Sequence, residues 1–329
     1  MTSSSPYPAR LPDLAVIDIA GADAASFLHS QLTNDVAGLA SGQARLAGYC
    51  TAKGRLLGTM VVWRDEASDP ATLRALVKAD IAAPLIKRLS MFVLRAKASL
   101  KMADARVYGI MLPGGPDAGE AGPALQLHPP ATPAQAWRMA HTEAGTWITA
   151  PSPRQDLRRW WLIAPAESRL RLDESESPAD TGAAALWRQK DIASGLPWVQ
   201  AATQDLFIPQ TMNLDLIDGV SFTKGCYPGQ EVVARSHYRG TVKRRMAYGL
   251  VEEAGALDAE SLPAVDTFDA RQPDNPCGRV MNAVRVGPAI HLLMEVQLGD
   301  LGGADFRLGR PDGPAISEQP LPYPIKAEA

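Results

Sequence analysis

The apolar run at 14–20, Leu-Ala-Val-Ile-Asp-Ile-Ala, has the length and branched content of a buried strand, and Gly21 punctuates its end. Asp23 stands where a helix N-cap is wanted, and Phe27, Leu28 and Leu32 follow at helical spacing. Two β-rich runs, 45–50 and 56–63, flank Thr-Ala-Lys-Gly at 51–54, which predicts a hairpin. A strand over 73–77 precedes a helix over 81–94 whose apolar face takes Ile81, Leu85, Leu89 and Phe92. Strands near 98–102 and 107–112 complete a strand–helix–strand pattern, the mark of an α+β domain.

Residues 113–136 are rich in Pro, Gly and Ala and read as a surface loop or linker. Strands resume at 136–139, 146–150 and 160–163. A helix over 181–193 then ends at the stop signal Gly195-Leu196-Pro197. After Arg245 the texture changes to short strands broken by Gly, Pro and Asp, which predicts a small all-β barrel or sandwich.

A length of 329 residues is too great for one small core and suits two or three domains. The net charge of −3 confines any attraction to nucleic acid to a local patch. The three cysteines, Cys50, Cys226 and Cys277, lie far apart without C-x-x-C or Cys/His spacing, so neither a metal site nor a disulfide framework is expected. With no apolar leader at the start and no run of membrane-spanning length, the expected compartment is the cytoplasm, with no membrane partner.

The densest chemistry lies in Lys224-Gly-Cys-Tyr-Pro-Gly-Gln-Glu231. Gly225 and Gly229 bracket Cys226-Tyr227-Pro228, so the backbone can turn sharply there. Lys224 and Arg235 are cations able to favour a thiolate at Cys226, and Gln230 and Glu231 add hydrogen-bonding groups nearby. Two readings stand at this level: a reactive thiol, or a tight turn around a buried structural cysteine. Arg235, His237, Arg239, Lys243, Arg244 and Arg245 form a basic cluster with only Glu231 as a close counterweight. It suits a polyglutamate tail, a tRNA backbone or an acidic partner, or else a solvated linker. His29, His128, His141 and His291 show no ligand spacing; Cys50 reads as core and Cys277 as a turn residue.

The string Lys224–Glu231 resembles the K-G-C-[FY]-x-G-Q-E motif of the YgfZ family, which lies within the aminomethyltransferase superfamily. The likeness extends to Gly21-Ala-Asp23, Gln31-Leu-Thr-Asn-Asp-Val36, Ala52-Lys-Gly54, Phe207-Ile-Pro-Gln210, Asn213-Leu214, Val233-Ala-Arg235 and Pro320-Leu-Pro-Tyr323. It implies an α+β fold on the three-domain plan of the glycine-cleavage T-protein. On that plan a discontinuous N-terminal folate-binding domain takes 1–45 and 140–240, an inserted ferredoxin-like domain 46–139, and a C-terminal β-barrel 241–329.

The resemblance implies binding of tetrahydrofolate or a one-carbon derivative and an accessory role in iron–sulfur cluster assembly or repair. Its partners would be cluster enzymes or assembly proteins, including cluster-dependent tRNA-modifying enzymes. Cys226 and Lys224 are then the candidate catalytic pair, and Trp187, Tyr227, Gln230, Glu231, Arg235 and Asn34 the candidate folate contacts. Arg235, Arg239, Lys243, Arg244 and Arg245 are the candidates for tRNA. The rival functions are a tetrahydrofolate-dependent aminomethyltransferase and a direct RNA binder. The first is disfavoured because 54–62 carries no carboxylate and Ala193 stands where T-proteins carry a pterin-bonding Glu.

Overall fold

A computed structural model of the protein describes residues 7–66, 72–113, 129–130, 135–168, 178–238 and 242–325. Arg239 and most of the 113–136 linker lie outside the described residues. The chain divides into two compact units. The first holds Met1–Ser30, Asp35–Leu46 and Met60–Trp187, and the second holds Gln31–Asn34, Ala47–Thr59 and Arg188–Ala329.

The first unit is built on antiparallel sheets. One has five strands: β1 (Tyr7–Arg10), β7 (Ala105–Pro113), β10 (Leu157–Pro165), β9 (Gly145–Thr149) and β8 (Met139–Thr142), in that spatial order. Tyr108, Ile110, Trp147, Trp160 and Leu162 fill one face of it. Another runs β3 (Ala44–Cys50), β4 (Leu56–Asp65), β5 (Thr72–Lys78), β2 (Leu14–Ala20) and β6 (Ser99–Met102). The covalent chain carries β3 and β4 on into the second unit.

Helix α1 (Ala24–Gln31) buries Phe27 and Leu28, and α2 (Ala79–Ser90) buries Ile81, Leu85 and Leu89. The expected continuation of α2 to residue 94 does not form. Met91 and Phe92 donate back three residues, to Arg88 and Leu89. Leu94 then adopts φ 41°, a conformation that ends a helix. Phe92 is therefore 47% exposed and not part of the apolar face. The strand expected at 136–139 forms later, at β8.

Helix α3 (Pro178–Ala193) leads from the first unit into the second. There α4 (Gln230–Tyr238) precedes a six-stranded antiparallel sheet, ordered β15 (Phe306–Leu308), β12 (Asp266–Asp269), β13 (Gly278–Val286), β14 (Ala289–Gln297), β11 (Arg244–Val251) and β16 (Ser317–Gln319). Its core packs Val280, Leu292, Met294 and Phe306 with Cys277, which is 7% exposed and engaged with Thr267. Cys277 is thus a core residue beside β13. Burial pushes its thiol up.

Candidate functional site

The Lys224–Glu231 segment is placed by two turns pressed backbone to backbone. The first is the hairpin turn between β3 and β4, closed by Thr51 N–H to Arg55 O and Gly54 N–H to Thr51 O. The second ends at Gly229, where α4 begins. Gly54 and Gly229 have φ of 73° and 81°, a region in which a side chain is strained. A Cβ on Gly229 would lie 2.6 Å from Gly54 Cα, and one on Gly54 would lie 2.9 Å from Val232 Cβ on α4. Both glycines are required by contact as well as by φ.

Between these supports, Cys226 is exposed. Tyr227 turns the other way and is 7% exposed, its phenol raised in pKa by burial and by the charge that Cys50 would carry. Cys50 is itself buried, and burial pushes its thiol up to about 12. Lys224 donates from Nζ to Leu32 O at 2.7 Å and lies 4.8 Å from the Tyr227 ring centroid, a cation–π contact. The ammonium therefore braces the loop from the side of Leu32. Gln230 is half-buried, while Glu231 and Arg235 are exposed on α4.

A buried polar frame, not identified as such from the sequence, stands behind α4. Gln210, wholly buried, donates to Val233 O at 2.6 Å. Arg245 donates to Gln210 O at 2.9 Å and grips Asp215 with two bonds of 2.6 and 3.1 Å. Asn213, with φ 57°, exchanges both amide bonds with Met246 and donates to Tyr323 Oη. Tyr323 in turn donates to Gly195 O at 3.0 Å. Gln210, Asn213 and Tyr323 stand in the runs that carry the family likeness. Asp215 had no such signal.

Asn34 belongs to the same unit. Its amide donates to Asp218 O at 2.6 Å, and Thr33 donates to Gly219 O at 2.7 Å while accepting Gly48 N–H. These bonds tie residues 31–34 to the loop that leads into the cysteine segment. Arg245 departs from the expectation of a free surface cation, being 6% exposed and held by Asp215. Arg244 pairs with Glu295 at 3.1 Å, while Lys243 is exposed. Near Arg235, the ring of Phe222 stacks on His237 at 3.7 Å and meets Tyr238 edge-on; Tyr238 is 66% exposed.

Trp187 lies in the first unit and is wholly buried. The Arg159 guanidinium sits 4.1 Å from its ring centroid, Trp161 meets it edge-on at 6.0 Å, and Gly109 leaves room for the indole where any side chain would clash. Its Nε1–H is buried without a hydrogen-bond partner among the described residues. Stacking is already supplied by the protein; the unspent donor is what a ligand acceptor would fit. Among the described residues no group of three or more His, Cys, Asp or Glu is arranged to hold a metal ion. No described helix is long and apolar enough to cross a membrane.

By fold, the protein falls in the aminomethyltransferase T class. It superposes on the glycine cleavage system aminomethyltransferase T from Bartonella henselae with a TM-score of 0.70, covering 97% of this chain and 86% of that one at 16% identity. At that identity the likeness is one of fold alone. Full-length sequence similarity is more specific. The chain is 34% identical over 324 residues to the tRNA-modifying protein YgfZ of Edwardsiella ictaluri, spanning 95% of this chain and 91% of the relative. It is 31% identical over 346 residues to the YgfZ of Sodalis glossinidius, spanning 99% of both. No protein-family model matches the chain. It belongs to the YgfZ family.

Proposed function

We propose that this protein acts in tRNA modification as its YgfZ relatives are named to do, that it binds a reduced folate, and that Cys226 is its working thiol. The observation that carries the reading is the contrast among the cysteines. Cys50 and Cys277 are buried, whereas Cys226 alone is exposed. It is held out by two glycine turns in backbone contact, a costly arrangement for a residue with no packing role. Lys224 and Tyr227 fix the loop from beneath, so the thiol is presented in one place.

A reduced folate would supply a carrier for one-carbon units. In the first unit, the buried Trp187 N–H is the donor that fits such a ligand's acceptor atom. Asn34, Tyr227, Gln230, Glu231 and Arg235 lie in the second unit, around or near the cysteine loop. There Asn34 and Tyr227 serve first to build the loop, leaving Gln230, Glu231 and Arg235 as the accessible polar groups. The finer assignment is support of iron–sulfur enzymes that modify tRNA, through the cysteine. An aminomethyltransferase reading has less to stand on, because β4 bears no carboxylate before Asp65, and Asp65 is paired with Arg74 at 2.9 Å.

The test is a Cys226→Ser protein in a strain lacking its own YgfZ, with cluster-dependent tRNA modifications measured by mass spectrometry. The modifications should be restored by the parent protein and not by Cys226→Ser, while the variant's melting temperature stays unchanged. Full restoration by Cys226→Ser would refute the thiol role. Calorimetry with tetrahydrofolate tests the other half: saturable heat is expected, weakened in Trp187→Phe, which keeps the ring and removes the N–H. Absence of binding to any reduced folate would remove the cofactor.

A second reading, direct contact with RNA, is favoured by the Phe222–His237–Tyr238 ring group, whose His237 and Tyr238 share α4 with the exposed Arg235. Exposed rings next to cations are the usual means of holding an unpaired base. On this reading Tyr238→Ala weakens tRNA binding at all salt concentrations, and Arg235→Gln lowers its salt dependence.

A further inference from the structure

We infer that the surface formed by the turn after α2 and the edge strand β6 is a docking site for an extended protein segment bearing acidic and bulky apolar side chains. The large apolar side chains left exposed among the described residues are unevenly placed. Met91 (60%), Phe92 (47%), Leu94 (87%) and Met102 (45%) fall within one short stretch, while Val232 and Tyr238 lie elsewhere. Leu94 is held at φ 41° with almost its whole side chain in water, so backbone strain there serves no packing among the described residues. Apolar side chains gathered in this way mark a contact surface and not chance exposure.

The charge of the same stretch has one sign. Lys87, Arg88, Arg95, Lys97 and Lys101 are all exposed, and no Asp or Glu occurs between Asp80 and Asp104. Two carboxylates on neighbouring elements, Asp18 and Asp23, are already engaged. Asp18 is bound by Arg74 at 3.0 Å, with Lys101 at 4.0 Å, and Asp23 accepts the backbone N–H of Lys97 at 2.7 Å. An acidic partner would complete the electrostatics.

The third feature selects the kind of partner. β6 pairs with β2 on one side and closes the order of its sheet, so no described strand hydrogen-bonds its outer edge. An extended peptide can use that edge through its backbone while its side chains meet the cations and the apolar groups. RNA would use the cations, but Phe92 is the one aromatic ring among these exposed apolar groups, and Met91, Leu94 and Met102 give a base no further face to stack on. A bilayer would use the apolar tip and its cations but has no use for a strand edge. A second copy of this chain would set the same cations against each other. The surface lies wholly in the first unit and does not depend on the role of Cys226.

The experiment is selection of random peptides, each about a dozen residues long, on the full-length protein. Affinities of the enriched peptides are then measured for parent, Leu94→Ser/Met102→Ser and Arg95→Glu/Lys97→Glu. Enriched sequences should combine Asp or Glu with Leu, Ile or Phe. They should bind at least about tenfold more weakly to both variants and slow amide exchange at 99–102 in the parent. Unchanged melting temperatures show that the variants are folded. The inference is overturned if no peptide is enriched, if enriched peptides lack acidic residues, or if the substitutions leave binding intact. It is equally overturned if oligouridylate or phosphatidylglycerol vesicles, in place of peptides, lose binding in the same variants, or if sedimentation shows a dimer that the substitutions dissolve.

Discussion

Gly229 and Gly54 touch through their backbones, and the position of the exposed thiol depends on that contact. A Cβ at Gly229 would lie 2.6 Å from Gly54 Cα, and the residue sits at φ 81°. Gly229→Ala should therefore cost more than about 2 kcal/mol, from the left-handed backbone and the clash together. Thermal unfolding of the variant measures this. A loss below about 0.5 kcal/mol would mean that the two turns separate easily and do not fix Cys226.

The three thiols should be told apart by alkylation. Native protein treated with iodoacetamide at about pH 8 should take up label at Cys226 alone, and all three cysteines should react once the protein is unfolded. The physical basis is access, since Cys50 and Cys277 are buried and burial raises both of their thiols. Peptide mapping by mass spectrometry reads the result. Native labelling of Cys50 at a rate near that of Cys226 would contradict the packing described around Tyr227.

Much of this was legible in the chain. The strand at 14–20 and the 51–54 turn follow from apolar runs and a glycine, because a strand's period and a tight turn are local properties. The end of α2 was not legible: Phe92 continues the apolar spacing, but the backbone already tightens into three-residue turns at Met91 and Phe92 before Leu94 takes φ 41°. In the site, the glycines around Cys226 announced a turn, but its support was hidden. Lys224 reads as a thiol activator two residues from Cys226, yet its ammonium bonds Leu32 O, far away in sequence. Arg245 reads as part of a basic cluster, and Asp215 removes it from the surface. Long-range pairing of this kind leaves no trace in spacing.

Alkaline pH should weaken the fold through the groups packed beneath the cysteine loop. Burial raises the Cys50 thiol from 9.0 to about 12, and burial also raises the Tyr227 phenol. Each acid holds its proton longer in the folded state than in the unfolded one. The stability this contributes is complete below the unfolded value and is lost as pH rises from there through the folded value. For Cys50 the window is 9 to about 12. Urea midpoints should fall between about pH 8 and about pH 10.5, and the fall should be shallower in Cys50→Ala. An equal fall in both proteins would show that Cys50 does not contribute.

The buried Arg245–Asp215 pair gives the sharpest test of the frame behind α4. Both side chains are under a tenth exposed, and the guanidinium also bonds Gln210 O, whose side chain holds Val233 O of α4. Removing one partner leaves the other charged in a dry site, so Asp215→Ala should cost about 3–5 kcal/mol. Replacing both, as Asp215→Leu/Arg245→Met, removes the stranded charge and should cost markedly less. Denaturant unfolding of single and double variants measures the coupling. The double variant also separates stability from placement. If the frame positions the cysteine loop, the double variant should fold yet show an altered Cys226 alkylation rate, because Gln210 has lost its anchor. Additive costs in the single and double variants would show that the two charges do not act as a pair.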